Sequence, residues 1–140
     1  MSTTVIVWVL TVLAAVVVVL TRLRLRGDGG AGRFSISPAL RLTHFVAGLV
    51  ALALWVSFLV APEDSAVGGA LVGIVAIGAW WVTALCGLLI LVRWLPAKGR
   101  HVSGSRSDGW SEGPGLSVLA HGGMLVGVLV FTYAYLTTTV

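Results

Sequence analysis

The sequence predicts an all-α integral membrane protein, a four-helix up-down bundle with its N-terminus and C-terminus outside the cell. The 140 residues are 58% hydrophobic and only 10% charged, with a mean hydropathy of +1.04. Soluble domains are usually about a quarter charged, so this composition excludes a soluble enzyme. Two further observations are the four long apolar stretches and the uneven distribution of basic residues between them.

Each apolar stretch is long enough to cross a membrane as a helix. The stretches cover about residues 4–21, 39–61, 67–92 and 116–136, and they form a single membrane domain over residues 1–140. A membrane-crossing helix needs about 20 apolar residues, and it satisfies its own backbone hydrogen bonds in lipid. Ser37 and Pro38 predict the start of the second helix, because serine caps helix N-termini and proline suits the first helical position.

The basic residues lie around two of the three connections. Those around the first connection are Arg22, Arg24, Arg26, Arg33 and Arg41. Those around the third connection are Arg93, Lys98, Arg100 and Arg106. The second connection carries only Glu63 and Asp64. The positive-inside rule therefore places the first and third connections in the cytoplasm.

This charge pattern also predicts the location of the protein and one class of partner. No basic residue precedes the first stretch and Arg22 follows it, so we expect a retained anchor rather than a cleaved signal peptide. The predicted location is the inner (cell) membrane of a bacterium. The formal net charge of +4 is concentrated in the cytoplasmic connections, which favours anionic lipid of the cytoplasmic leaflet as a partner and not nucleic acid.

Two histidines are the only ionisable side chains deep within the stretches. His44 lies six residues after Pro38, and His121 lies six residues after Gly115, on helices that run in the same direction. At 1.5 Å rise per residue, both imidazoles should lie roughly 9 Å from the cytoplasmic starts of their helices. In an up-down bundle these two helices face each other across the core. Two level imidazoles can ligate a haem iron from both sides, whereas a zinc-type site needs further ligands.

The sequence also predicts the surroundings of such a haem. Gly48 lies one turn beyond His44 and Gly122 follows His121, and small residues let a macrocycle come close. Arg41 precedes His44 by three residues on the same helical face, and we expect Arg41 and Arg93 to pair with haem propionates. Haem b is the predicted cofactor, and quinone is a second candidate ligand.

Each of these features also has a purely structural interpretation. A membrane histidine can hydrogen-bond to a neighbouring helix, small residues let helices pack, and arginines can snorkel to the interface. We expect Trp80 to pack the core or face a partner subunit, and Trp55 to belong to an interfacial aromatic belt. The single cysteine, Cys86, is expected to behave as a small hydrophobic residue.

The segment Arg41-Leu42-Thr43-His44-Phe45-Val46-Ala47 resembles the start of the first haem-bearing helix in b-type membrane cytochromes. These are the cytochrome b subunits of respiratory formate dehydrogenases and nickel-iron hydrogenases. The resemblance implies a core of four helices, with His44 as an axial haem ligand and His121 in a similar role on a later helix. That family usually carries two haems, whereas two histidines within the helices suffice for one. The succinate dehydrogenase anchor subunits, with a single b haem, are an alternative resemblance.

These features predict a small b-type cytochrome-like protein with one bis-His haem near the cytoplasmic side. It would transfer electrons within a respiratory or other membrane redox complex, with other membrane subunits as partners. The alternative is a cofactor-free accessory subunit that stabilises or regulates a larger membrane complex. The sequence contains no catalytic motif, so a stand-alone enzyme is disfavoured. A transporter is disfavoured because the apolar stretches contain no carboxylate and no inverted repeat.

Overall fold

The computed structural model of the chain describes residues 2–26, 37–94 and 114–140, without the side chains of residues 20–26, 93–94 and 114–117. The described residues form four α-helices and no strand, which confirms the all-α prediction. The helices are α1 (Thr3–Arg26), α2 (Pro38–Val60), α3 (Ala70–Trp94) and α4 (Pro114–Leu136). Most of the basic connections lie outside the described residues.

Three of the helices contain apolar segments long enough to cross a membrane. The segments within the described residues are Pro38–Val60, Ala70–Val92 and Val118–Leu136. The apolar part of α1 that the structure describes, Thr3–Val19, is shorter. The outward faces of the helices carry large hydrophobic side chains, such as Leu71 at 72% and Leu119 at 66% exposed. An apolar exterior of this kind is what lipid rather than water solvates.

The ends of α2 and α3 follow from local hydrogen bonds. Ser37 precedes the helical Pro38, and its carbonyl accepts a bond from the Arg41 amide at 3.2 Å, although its side chain makes no capping bond. Between α2 and α3, the Ser65 hydroxyl donates to the Pro62 carbonyl at 2.6 Å and accepts from the Gly68 amide at 3.0 Å. This turn delays the start of α3 to Ala70, rather than near residue 67 as the apolar stretch indicated.

Helix α3 packs against both α2 and α4, and α1 packs against α4 and α2. Contacts at opposite ends show that α2 and α3 are antiparallel, since Phe58 lies against Gly73 and His44 bonds to Thr83. Helices α3 and α4 are antiparallel as well, since Tyr135 near the end of α4 donates a hydrogen bond to the carbonyl of Ala70 at the start of α3.

Aromatic side chains fill the core between the helices. Trp55, Trp80 and Phe131 are almost completely buried, and the Phe131 ring centroid lies 4.9 Å from that of Trp55 and 5.7 Å from that of Trp80. Trp80 is therefore a core residue. The expectation that Trp55 belongs to an interfacial belt is wrong, because its indole is 0% exposed and its Nε1 donates to the Thr11 hydroxyl at 3.1 Å. This partner on α1 satisfies the indole N–H inside the core.

Candidate metal centre

His44 of α2 and His121 of α4 lie side by side. Their ring centroids are 6.1 Å apart and their ring planes are inclined by 25°. Both side chains are half-buried. The structure thus brings together the two histidines for which the sequence predicts equal depth. It also places both of them against one turn of α3, formed by residues 83–87.

The orientation of His44 is fixed by a bond between helices. Its Nδ1 lies 2.9 Å from the backbone carbonyl oxygen of Thr83. A carbonyl can only accept, so Nδ1 carries the proton and donates it. Neutral imidazole then has an unprotonated Nε2, which is the atom able to ligate a metal. Metal-ligating histidines characteristically donate their other ring N–H to a carbonyl or carboxylate in this way.

Gly87 lies at the side of the gap between the two rings. A Cβ atom at this position would be 2.6 Å from Cδ2 of His121, 3.2 Å from its Nε2 and 3.0 Å from Cε1 of His44. Any side chain here would overlap both imidazoles, so only glycine is compatible with this packing. The edge of His121 that borders Gly87 carries its Nε2, whereas Cε1 of His44 lies between the two nitrogens of that ring.

The other predicted site residues lie outside the gap. Gly48 is buried one turn beyond His44, but a Cβ there would meet the Thr83 side chain at 3.5 Å, so Gly48 serves the contact between α2 and α3. Gly122 is exposed and a Cβ there would meet nothing within 4 Å. Arg41 is exposed near the start of α2. The side chain of Arg93 lies outside the described residues.

Sequence reasoning did not assign a role to Thr83. Thr83 is buried, its hydroxyl donates to the Ala79 carbonyl at 2.8 Å, and its own carbonyl oxygen accepts from Nδ1 of His44 at 2.9 Å. Residues four apart share one helical face, so Thr83 and Gly87 form a single surface. The spacing of four residues between positions 83 and 87 can be read from the sequence. The role of Thr83 cannot, because its backbone carbonyl and not its side chain binds His44.

The donor set supports only two protein ligands. Within the described residues, no group of three or more His, Cys, Asp or Glu side chains is arranged to hold a metal ion. A haem iron suits this set, because the porphyrin provides its other four ligands. The space for a porphyrin is less favourable. A porphyrin surrounds its iron on all sides in one plane, and Gly87 already occupies part of that space. Thus the number of histidine ligands fits a haem, but the stacking of the two rings and the described position of α3 do not fit the iron and its macrocycle.

No family model matches the chain, and no curated protein or solved structure is similar to it at a significant level.

Proposed function

We propose that the four helices form an up-down bundle in a bacterial cell membrane, with both termini on the outer side. Three apolar helices support the membrane location. The antiparallel contacts of α3 with its neighbours support the up-down order. The basic residues around the first and third connections favour a cytoplasmic position for both, and Glu63 and Asp64 lie in the turn at the opposite end.

Within this bundle, the proposed function is electron transfer by one b-type haem held between His44 and His121. The observation that carries this proposal is the 6.1 Å separation of the ring centroids. Two imidazoles that each lie about 2 Å from one metal ion hold their centroids roughly 6 Å apart when the ion is between them. The two rings are stacked in the structure, so both would also have to turn for their nitrogens to face one iron. Bound there, the haem would supply a one-electron redox centre whose potential depends on its axial ligands and apolar walls.

This proposal requires α3 to lie farther from the rings than it does in the structure. The obstacle is the backbone at Gly87, because that residue has no side chain. The same displacement would alter the bond between His44 and the Thr83 carbonyl. Haem binding is therefore expected to involve a rearrangement of α2 and α3, not the filling of a preformed cavity.

Further partners are proposed for the cytoplasmic side of the bundle. Arg41 and Arg93 remain the proposed partners of haem propionates, and quinone remains a candidate electron carrier. The basic connections favour anionic headgroups of the inner leaflet. Other membrane subunits of a redox complex are the proposed protein partners, since one haem near one face cannot carry an electron across the bilayer alone.

One observation favours a second function, that of a cofactor-free accessory subunit. A Cβ at Gly87 would overlap both imidazoles, so α3 already packs closely against them, and the Thr83 carbonyl already binds His44. In this interpretation the two histidines join α2, α3 and α4, as polar side chains do between membrane helices.

A reduced-minus-oxidised absorption spectrum of the purified protein separates the two functions. The haem proposal predicts a b-type α band that is lost in His44→Ala and in His121→Ala, but retained in His101→Ala, whose residue lies in a connection. A colourless protein from cells supplied with haem would instead favour the accessory function. In that case, His44→Gln and His121→Gln should lower the stability of the fold without any spectroscopic change.

A further inference from the structure

We infer that helix α3 has a second packing, displaced from the histidine pair, and that the buried indole of Trp80 favours this displaced packing. The inference concerns the movement of α3 that the proposed haem site requires, but its test does not depend on haem. It follows from three residues that lie on one face of α3, Trp80, Thr83 and Gly87, which succeed one another at helical spacing.

The indole N–H of Trp80 has no hydrogen-bond partner in the part of the chain that the structure describes. The Trp80 side chain is 0% exposed, and its Nε1 atom is buried. A donor that is buried without a partner has lost its hydrogen bond to water and gained none in return, which destabilises the packing that buries it. The described packing of α3 is therefore less stable than it would be around an apolar ring of the same shape.

Two other tryptophans show how the bundle satisfies an indole N–H elsewhere. Nε1 of Trp55 donates to the Thr11 hydroxyl at 3.1 Å, and Nε1 of Trp81 donates to the Thr132 hydroxyl at 3.2 Å. Each of these bonds joins two neighbouring helices, as polar side chains do within a membrane. The unpartnered N–H is thus a property of the position of Trp80, not of the indoles of this bundle in general.

A second polar group on the same face of α3 has the opposite effect. The Thr83 carbonyl, one turn after Trp80, accepts from Nδ1 of His44 at 2.9 Å, and Gly87 in the next turn lies close to both imidazoles. This bond stabilises the packing in which the Trp80 N–H has no partner. Displacement of α3 breaks the bond and lets the indole leave its buried position and reach an acceptor. The two effects oppose each other, which reduces the free-energy difference between the two packings.

The start of α3 is the end that we expect to stay in place. Tyr135 donates to the Ala70 carbonyl at 2.9 Å, and its ring packs closely against Gly73 together with that of Phe58. A short turn over residues 61–69 also joins this end of α3 to α2. The displacement is therefore a tilt about the start of α3, which moves Gly87 away from the imidazoles.

The test is a pair of distances between spin labels, measured by pulsed electron paramagnetic resonance on the haem-free full chain in detergent. In a Cys86→Ser background, Leu42→Cys on α2 and Val92→Cys on α3 carry the labels near the moving end. Val60→Cys and Leu71→Cys are the matched control near the fixed end. All four labelled side chains are exposed. We expect two distances for the first pair and one distance for the control pair.

A second measurement removes the N–H alone. Benzothienylalanine carries sulfur in place of the indole N–H and has nearly the shape of tryptophan, and amber suppression places it at position 80. We expect the ratio of displaced to closed protein to fall by about tenfold and the melting temperature to rise. His44→Ala should raise the same ratio, because it removes the bond to Thr83. The analogue at position 55 should lower the melting temperature, because the Trp55 N–H has a partner.

A single distance for the first label pair in otherwise unchanged protein, or a displaced fraction that the analogue at position 80 does not reduce, would overturn the inference. A melting temperature lowered by the analogue at position 80 would also overturn it. The Trp80 N–H would then have a partner such as the face of the Phe131 ring, whose centroid lies 5.7 Å from that of Trp80.

The pyridine assay, which measures haem uptake by the wild type, separates this inference from the proposed function. Two distances in a protein that takes up no haem would support the displaced packing and refute the haem proposal. A b-type spectrum in a protein whose haem-free form gives a single distance would refute the displaced packing and leave the haem proposal standing.

Discussion

His44 and Thr83 are joined by a hydrogen bond of 2.9 Å that runs from an imidazole on α2 to a backbone carbonyl on α3. This bond has two effects. It links two helices inside an apolar region, where a polar group without a partner is costly. It also determines which nitrogen of His44 remains available, because the donor must be Nδ1. The chemistry of the histidine pair therefore depends on the packing of α3.

The first prediction concerns the tautomer of His44. In the metal-free and haem-free protein, His44 should be the neutral Nδ1–H tautomer, since the Thr83 carbonyl accepts that proton. ¹⁵N NMR of histidine-labelled protein in detergent distinguishes the two ring nitrogens by their chemical shifts. The spectrum of His44→Gln assigns the resonance. A resonance typical of the Nε2–H tautomer would show that the bond to Thr83 is absent.

A second prediction tests whether each imidazole is an axial ligand of haem. Replacement of His44 or His121 by glycine leaves space the size of the lost ring, so added imidazole should restore the low-spin b-type spectrum. Restoration should be saturable and should require imidazole rather than a non-ligating molecule of similar size, such as pyrrole. Because His44→Gly also removes the bond to Thr83, we expect it to lower the melting temperature as well. A spectrum unaffected by either substitution would place the haem elsewhere.

A third prediction concerns the buried indole of Trp55. Trp55→Phe removes the hydrogen bond to the Thr11 hydroxyl and leaves space beside Phe131, so we expect a loss of about 1–3 kcal/mol in the free energy of unfolding. The matched control is Trp8→Phe, because Trp8 is 37% exposed. That change should alter stability by less than about 0.5 kcal/mol. Denaturant titration in mixed micelles measures both, and equal effects would contradict the burial of Trp55.

The helices could be predicted from sequence because apolar stretches of this length have few alternatives in a membrane. The four stretches correspond to α1–α4, with differences of a few residues at their ends. Hydropathy does not show which face of a helix points inward, so the sequence predicts an interfacial position for Trp55, whose side chain is 0% exposed. The buried indole of Trp55 finds its hydrogen-bond acceptor in Thr11 of α1. No local pattern around Trp55 shows that Thr11 will be its neighbour.

The candidate site could be predicted only in part, for a similar reason. His44 and His121 stand out because ionisable residues are rare within membrane helices. The space between the two imidazole rings and the role of Gly87 beside it both depend on the distance between α3 and the rings. That distance follows from the packing of three helices together. The Thr83 carbonyl belongs to the backbone, so the residue type at position 83 gives no indication that it binds His44.

A fourth prediction tests the proposed membrane topology. In a Cys86→Ser background, a cysteine at Asp64 should react with a membrane-impermeant maleimide in intact cells, because Asp64 is exposed in the turn between α2 and α3. A cysteine at Ser103, in the basic third connection, should react only after the membrane is permeabilised. The reverse pattern would invert the proposed orientation, and reaction at both positions in intact cells would argue against a crossing by α3.

A fifth prediction concerns two adjacent glycines in the turn before α3. A Cβ at Gly68 would overlap the Pro62 carbonyl oxygen and would lie 2.7 Å from the Ala61 carbonyl oxygen, whereas a Cβ at Gly69 would be 3.6 Å from its nearest neighbours. The neighbours of Gly68 are backbone atoms, which cannot move aside as a flexible side chain would. We therefore expect Gly68→Ala to destabilise the fold by about 1–3 kcal/mol.

Gly69→Ala is the matched control, because it makes the same change one residue later in an ordinary van der Waals environment. It should alter stability by less than about 0.5 kcal/mol. Thermal unfolding in detergent, followed by circular dichroism, measures both variants. Because Ser65 accepts the Gly68 amide proton, Gly68→Ala should also increase hydrogen exchange at that amide, and an equal loss of stability in the two variants would contradict the turn geometry.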